Sequence, residues 1–252
     1  GFAGPTALAA MTFAAYATST LPSGSNPFLE KGLAVTLLLI LTLIHATNHR
    51  TSGGTQEIFT ALKITVIIIF IIGVQIFTDT PQPLTFFPAE GDGALLTSGT
   101  FAVALIYVSF AYTGWNAATY LSSEVENPRR NLPLVLITGT SIVTILYLGL
   151  NFSFLYAAPM DAMEGQVEVG AIAAQAAFGE AVGGTFGIVL ALLLISTVSA
   201  MTMAGPRVIQ VIGEDFPAVR FLSRTNKNGI PTTAIYIQAA IAMVFILSTT
   251  VE

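Results

Sequence analysis

Residues 57 to 77 read Glu57-Ile58-Phe59-Thr60-Ala61-Leu62-Lys63-Ile64-Thr65-Val66-Ile67-Ile68-Ile69-Phe70-Ile71-Ile72-Gly73-Val74-Gln75-Ile76-Phe77, and this stretch decides the fold class. From Ile64 to Ile72 it is apolar on every side of a helix, and a helix without a polar face belongs in a protein core or a bilayer. At 1.5 Å per residue it rises about 31 Å, close to the roughly 30 Å hydrocarbon core of a membrane. Composition selects the membrane. Only 9% of the 252 residues are charged, 54% are hydrophobic and mean hydropathy is +0.77, too little polar surface to cover a water-facing globule of this size.

The remaining composition excludes other classes. A net charge of −5 from 9 basic and 14 acidic residues, with no basic tract, argues against nucleic-acid binding. With no cysteine there is no disulfide or thiolate site, two histidines cannot build a zinc site unaided, and no cofactor is implied. The start Gly1-Phe2-Ala3 has neither an initiator Met nor a basic n-region, so it reads as the middle of something longer and not as a signal peptide.

Working outward from residue 57, about seven transmembrane helices are predicted in one transmembrane domain over 1–252: near 2–21, 32–47, 57–77, 100–122, 133–158, 183–206 and 232–250. Pro22 to Pro27, Thr80 to Pro83 and Gly91-Asp92-Gly93 are breakers between them. The first span, rich in Ala and Thr, suits a helix packed inside a bundle. Residues 165–181 carry Glu168 and Glu180 and read as an interfacial helix. Arg50, Arg129, Arg130, Arg207, Arg220, Arg224 and Lys227, seven of the nine basic residues, fall in alternate loops, which makes that side cytoplasmic.

Lys31 lies in an opposite loop, and Lys63 alone lies inside a span. Two readings fit Lys63. It is a cation held between helices, where losing a proton would change packing, or a lysine whose stem returns its ammonium to the interface.

The fourth span runs Phe101 to Asn116 and turns polar after Gly114, so Tyr112-Thr113-Gly114-Trp115 is a candidate helix break. Broken membrane helices free backbone carbonyls where a cavity or neighbouring protein can satisfy them, and they mark transporter binding sites. Phe110, Tyr112 and Trp115 would line or gate such a cavity. Equally, aromatic residues and one glycine in a span serve packing and interface anchoring. Ser196, Ser199 and Thr202 recur every third residue on one helical face and could hold a cation or meet Lys63, or simply bond their own helix carbonyls. Gly205-Pro206 predicts a kink or a stop. Glu124 to Pro133 reads as a solvated charged loop, and His45 and His49 as a pair at a helix end near water.

With these motifs in order, Phe110-Ala111-Tyr112-Thr113-Gly114-Trp115-Asn116, Glu124 to Pro133, Ile58 to Lys63, Arg207 to Pro217 and Gly229-Ile230-Pro231, the chain resembles the amino acid-polyamine-organocation family of amino acid permeases, closest to its L-type amino acid transporter branch. The resemblance implies an all-α membrane protein, a partial leucine-transporter-type bundle of inverted repeats covering the family's third to ninth helices. It implies a plasma-membrane permease, not an enzyme, carrying an amino acid by alternating access as a symporter or antiporter, with proton or antiport coupling near Lys63. Carbonyls of Phe110, Ala111 and Thr113 would accept the substrate's amino group, Phe110 would gate, and Asn116 would line the pocket with Tyr112, Gly114 and Trp115. Thr113 stands where the closest branch usually has glycine. Lys63 matches a lysine that replaces a sodium ion of related transporters, with Ser196 and Ser199 as its neighbours. Partners would be the amino acid and the lipid bilayer, with no nucleic acid. The alternatives are a seven-helix receptor or retinal protein, for which no mid-span carboxylate supplies a counter-ion, and a non-transporting membrane scaffold.

Overall fold

The computed structural model describes residues 2–19, 26–47, 52–88, 91–115, 118–119 and 125–249, with side chains in 52–56 left aside. Among the described residues all regular secondary structure is helical: α1 (Ala3–Thr18), α2 (Pro27–Thr47), α3 (Ser52–Phe77), α4 (Asp92–Leu96), α5 (Gly99–Ala111), α6 (Pro128–Ala157), α7 (Met160–Met163), α8 (Val169–Phe178), α9 (Glu180–Asp215), a 3-10 segment (Pro217–Ser223) and α10 (Thr232–Ser248). They form two compact units, Gly1–Pro81 with Leu150–Glu252, and Gln82–Gly149.

The larger unit is built around α1, which packs on α2, α9 and α10. Its buried Ala7, Ala10, Met11 and Ala14 follow helical spacing, and these mostly small side chains let neighbouring helices close on the stripe. Leu37, Leu38 and Leu41 of α2, Val198 of α9 and Ala242 and Ile246 of α10 complete this core. A second cluster centres on Phe70 of α3, 2% exposed, whose ring lies 4.8 Å from Phe186, 5.8 Å from Phe154 and 6.2 Å from Phe178. The adjacent Ile69 is 65% exposed. A helix that buries one apolar stripe and exposes other apolar faces is suited to a bilayer.

By length and composition α2, residues Glu57–Phe77 of α3, α6 and α9 can each cross a membrane. Where three further spans were expected, the helices are shorter: 16 residues in α1, 13 in α5 and 17 in α10. Several boundaries differ from the sequence pattern for local reasons. α6 begins at Pro128 and not near 133, because proline has a helix-ready φ at a first helical position and Asn127, at φ 48, turns the chain into it. The NH groups of Arg130 and Asn131 both donate to the Asn127 carbonyl at 3.0 Å. Within the expected interfacial stretch, α8 covers Val169–Phe178 and ends at Gly179, whose φ is +85°.

Of the kink or stop expected at Gly205-Pro206, the stop does not occur, and α9 continues to Asp215. Pro206 has no NH for the Thr202 carbonyl, a loss that by itself kinks or ends a helix. α9 is contacted from outside beside that gap, at the carbonyl one residue before the one Pro206 leaves free. Gln238 of α10 donates its Nε2 to the Met201 carbonyl at 3.0 Å, and Pro206 is fully buried. Gly205 makes this approach feasible: a Cβ there would overlap Gln238 Oε1 and lie 2.6 Å from the Phe2 Cβ. Gly205→Ala is therefore expected to destabilise the full-length protein by about 1–3 kcal/mol. Combined with Gln238→Ala, the loss should be smaller than the sum of the two single losses, because the second change removes the atoms the new methyl meets. Thermal unfolding in detergent measures both, and strict additivity would contradict the close packing described.

Candidate functional site

The smaller unit contains the helix break. α5 starts at Ser98, whose hydroxyl accepts from the Phe101 NH at 3.2 Å, and runs through an apolar sequence to Ala111. There the bonding tightens from the i−4 to the i−3 pattern: the Tyr112 NH donates to the Ser109 carbonyl at 3.3 Å and the Thr113 NH to the Phe110 carbonyl at 3.0 Å. Gly114 follows at φ +92°, a left-handed conformation in which a side chain is strained although open space surrounds it. Among the described residues Asn127 is the only non-glycine at positive φ, so Thr113 takes an ordinary backbone and is tolerated where the resembled branch has glycine.

The break opens a cavity of about 360 Å³ between the end of α5 and α6, lined by Tyr112, Thr113, Gly114, Trp115, Gly139 and Tyr147 among others. Ala111 lines it as well, while Phe110 lies outside the lining and is 49% exposed. Trp115 is 62% exposed. Asn116 lies outside the described residues.

The carbonyls at the break are in different states. That of Phe110 accepts both the Thr113 NH and the Thr113 hydroxyl, the latter at 2.7 Å, so both its lone pairs are engaged. That of Ala111 accepts the Tyr147 hydroxyl at 3.0 Å, and one bond leaves a carbonyl with a second lone pair.

The second group of candidate residues lies in the larger unit. Lys63 of α3 is half-buried, and its Nζ donates to Thr197 Oγ1 of α9 at 2.8 Å. The three hydroxyls expected near it have other surroundings. Ser196 is 2% exposed, and its Oγ has no hydrogen-bond partner among the described residues. Ser199 Oγ lies 2.9 Å from His45 Nε2, and Thr202 donates to its own-helix Val198 carbonyl at 2.7 Å. The sequence reading missed Thr197 because it sits about 100° around the helix from Ser196, off the every-third-residue stripe. Its signal was its place beside Ser196 in an otherwise apolar run. His45 also differs from the reading that put it near water: it is half-buried and faces α9. His49 lies outside the described residues.

Comparison with known proteins agrees with this architecture. The amino acid permease family matches residues 2–251. The human b(0,+)-type amino acid transporter 1 is 28% identical over 256 residues, covering 96% of this chain and 50% of that protein. The mouse Asc-type amino acid transporter 1 is 30% identical over 192 residues, 74% of this chain and 35% of that protein. The mouse large neutral amino acids transporter small subunit 2 is 31% identical over 210 residues, 79% of this chain and 36% of that protein. The chain spans about half the length of the first of these relatives. With the family match covering nearly the whole chain and several long apolar helices present, this is a multi-pass integral membrane protein. It belongs to the amino acid permease family.

Proposed function

We propose that the chain is part of a secondary transporter that carries amino acids across the plasma membrane by alternating access around the break in α5. The observation that carries this reading is the end of α5 at Ala111, with Tyr112 to Gly114 turning away over a cavity. In an apolar surrounding a substrate ammonium is costly unless acceptors replace its water. The C-terminal end of a helix supplies them, since unsatisfied carbonyls and the negative end of the helix dipole both favour a cation there. The ammonium takes the second lone pair of Ala111. It reaches Phe110 when the Thr113 hydroxyl turns away, and the Thr113 carbonyl adds a third acceptor. Membership of a permease family supports a transporter over a retinal-type receptor or a scaffold.

Coupling is assigned to Lys63. As an ammonium it requires the Thr197 hydroxyl across the α3–α9 contact; as a neutral amine it releases that requirement, so a proton at Lys63 biases how α3 and α9 pack. Ser196 and Ser199 are placed in the same helical segment, where a shift of α9 would expose them to the ammonium.

Two measurements test these assignments. In vesicles holding the full-length protein, Thr113→Trp fills the cavity and should lower amino acid uptake at least about tenfold, the equivalent of about 1.4 kcal/mol. Uptake unchanged by this variant would remove the break from the substrate path. Thermal unfolding separates the roles at the other contact. Thr197→Val leaves a half-buried ammonium without its hydroxyl and should cost about 1–3 kcal/mol, more than Lys63→Met, which leaves only a neutral hydroxyl able to bond its own helix. The reverse order would show that Lys63 does not depend on Thr197.

A further inference from the structure

The break raises a question that the glycine does not answer. Gly114 permits the chain to leave the helix, but permission does not prevent the helix from continuing. In a continuous α-helix the NH of residue 114 would bond the Phe110 carbonyl, and the NH of Trp115 would bond the Ala111 carbonyl. Phe110 has both lone pairs engaged, and Ala111 has one of its two engaged. Phe110 is taken locally, by the Thr113 NH and hydroxyl. Ala111 is taken by Tyr147, 36 residues away on α6. The Tyr147 ring is aimed by an edge contact with Tyr112, the centroids lying 5.2 Å apart at 70°, and Gly139 and Val143 on the same face of α6 leave the cavity open beside it.

We propose that Tyr147 is a positioning residue for the substrate's amino group: by donating to the Ala111 carbonyl it fixes that acceptor at the cavity wall, and it leaves the other lone pair for an ammonium in the cavity. The inference rests on the reading of the break as the amino-group site. It adds a residue on α6 that contacts the acceptor and not the substrate.

Ligand binding to the full-length protein provides the test, with L-alanine, L-leucine and L-lysine as probes, each compared with the 2-hydroxy acid of the same side chain. Tyr147→Phe keeps the ring and its contact with Tyr112 but removes the donor. It should weaken binding of the amino acids by about 3- to 10-fold, the range of one ordinary hydrogen bond, while leaving the 2-hydroxy acids unchanged. Tyr147→4-aminophenylalanine, which restores a donor on the same ring, should recover the amino acid preference. Equal weakening of both ligand classes, or no change in either, would overturn the positioning role while the amino acid site stood. If the wild-type protein bound none of the three amino acids, the site reading and this inference would fall together. Should Tyr147→Phe fail to fold, the aminophenylalanine variant decides: a preference matching wild type supports the role, and loss of the preference overturns it.

Discussion

A helix cannot end inside a membrane without finding donors for its last carbonyls, and the candidate site is organised by that constraint. In water those groups would be solvated at little cost; in a low-dielectric interior each unmet acceptor costs on the order of a few kcal/mol. The end of α5 meets the demand with three kinds of donor: backbone NH groups from the tightened last turn, the Thr113 hydroxyl, and the Tyr147 hydroxyl brought in by α6. Gly114 lets the chain turn aside at φ +92°, so the apolar run stops where a cavity can form. The same arrangement that makes the break stable makes it receptive. Two of the donors are hydroxyls that can rotate, and the Ala111 carbonyl retains acceptor capacity, which the proposed function gives to a substrate ammonium.

The larger unit supplies a different physical element, close packing around a few buried polar groups. Small residues on α1 let four helices approach, and an apolar lining of this kind gives polar atoms few alternatives. Lys63 finds Thr197, Gln238 finds the Met201 carbonyl, and His45 finds Ser199. Ser196 Oγ and Gln238 Oε1 are buried without a hydrogen-bond partner among the described residues. Each of these polar groups lies on α9 or against it. That helix also contains Pro206, at which its own hydrogen-bond ladder is interrupted.

The parts of this molecule that could be read from the sequence are those set by local chemistry. Ile64 to Ile72 cannot be a surface helix, and Gly114 after an apolar run marks where α5 gives way, because both facts depend only on neighbouring side chains. Contacts that depend on which helices meet were not legible. Tyr147 lies 36 residues from Ala111 and Thr197 lies 134 from Lys63, and no spacing rule connects them. Ser196, Ser199 and Thr202 share one face by helical spacing, but face sharing does not specify partners: among the described residues Ser196 Oγ has none, Ser199 meets His45 and Thr202 bonds its own helix. At Pro206, where a kink or a stop was expected, the helix does not stop. Propensity describes an isolated helix, whereas Pro206 is buried within a packed bundle.

The central claim is that α5 is broken at Tyr112 to Gly114 and that the break is where an amino acid binds. The chain has no cysteine, so single cysteines can be placed in it without background from its own residues. In full-length protein cleared of cysteines elsewhere, Thr113→Cys should react with a charged methanethiosulfonate reagent and be protected by a bound amino acid, while Ile106→Cys, within the apolar helix upstream, should stay unreactive. A Thr113→Cys as inert as Ile106→Cys, or one labelled equally with and without amino acid, would contradict the account.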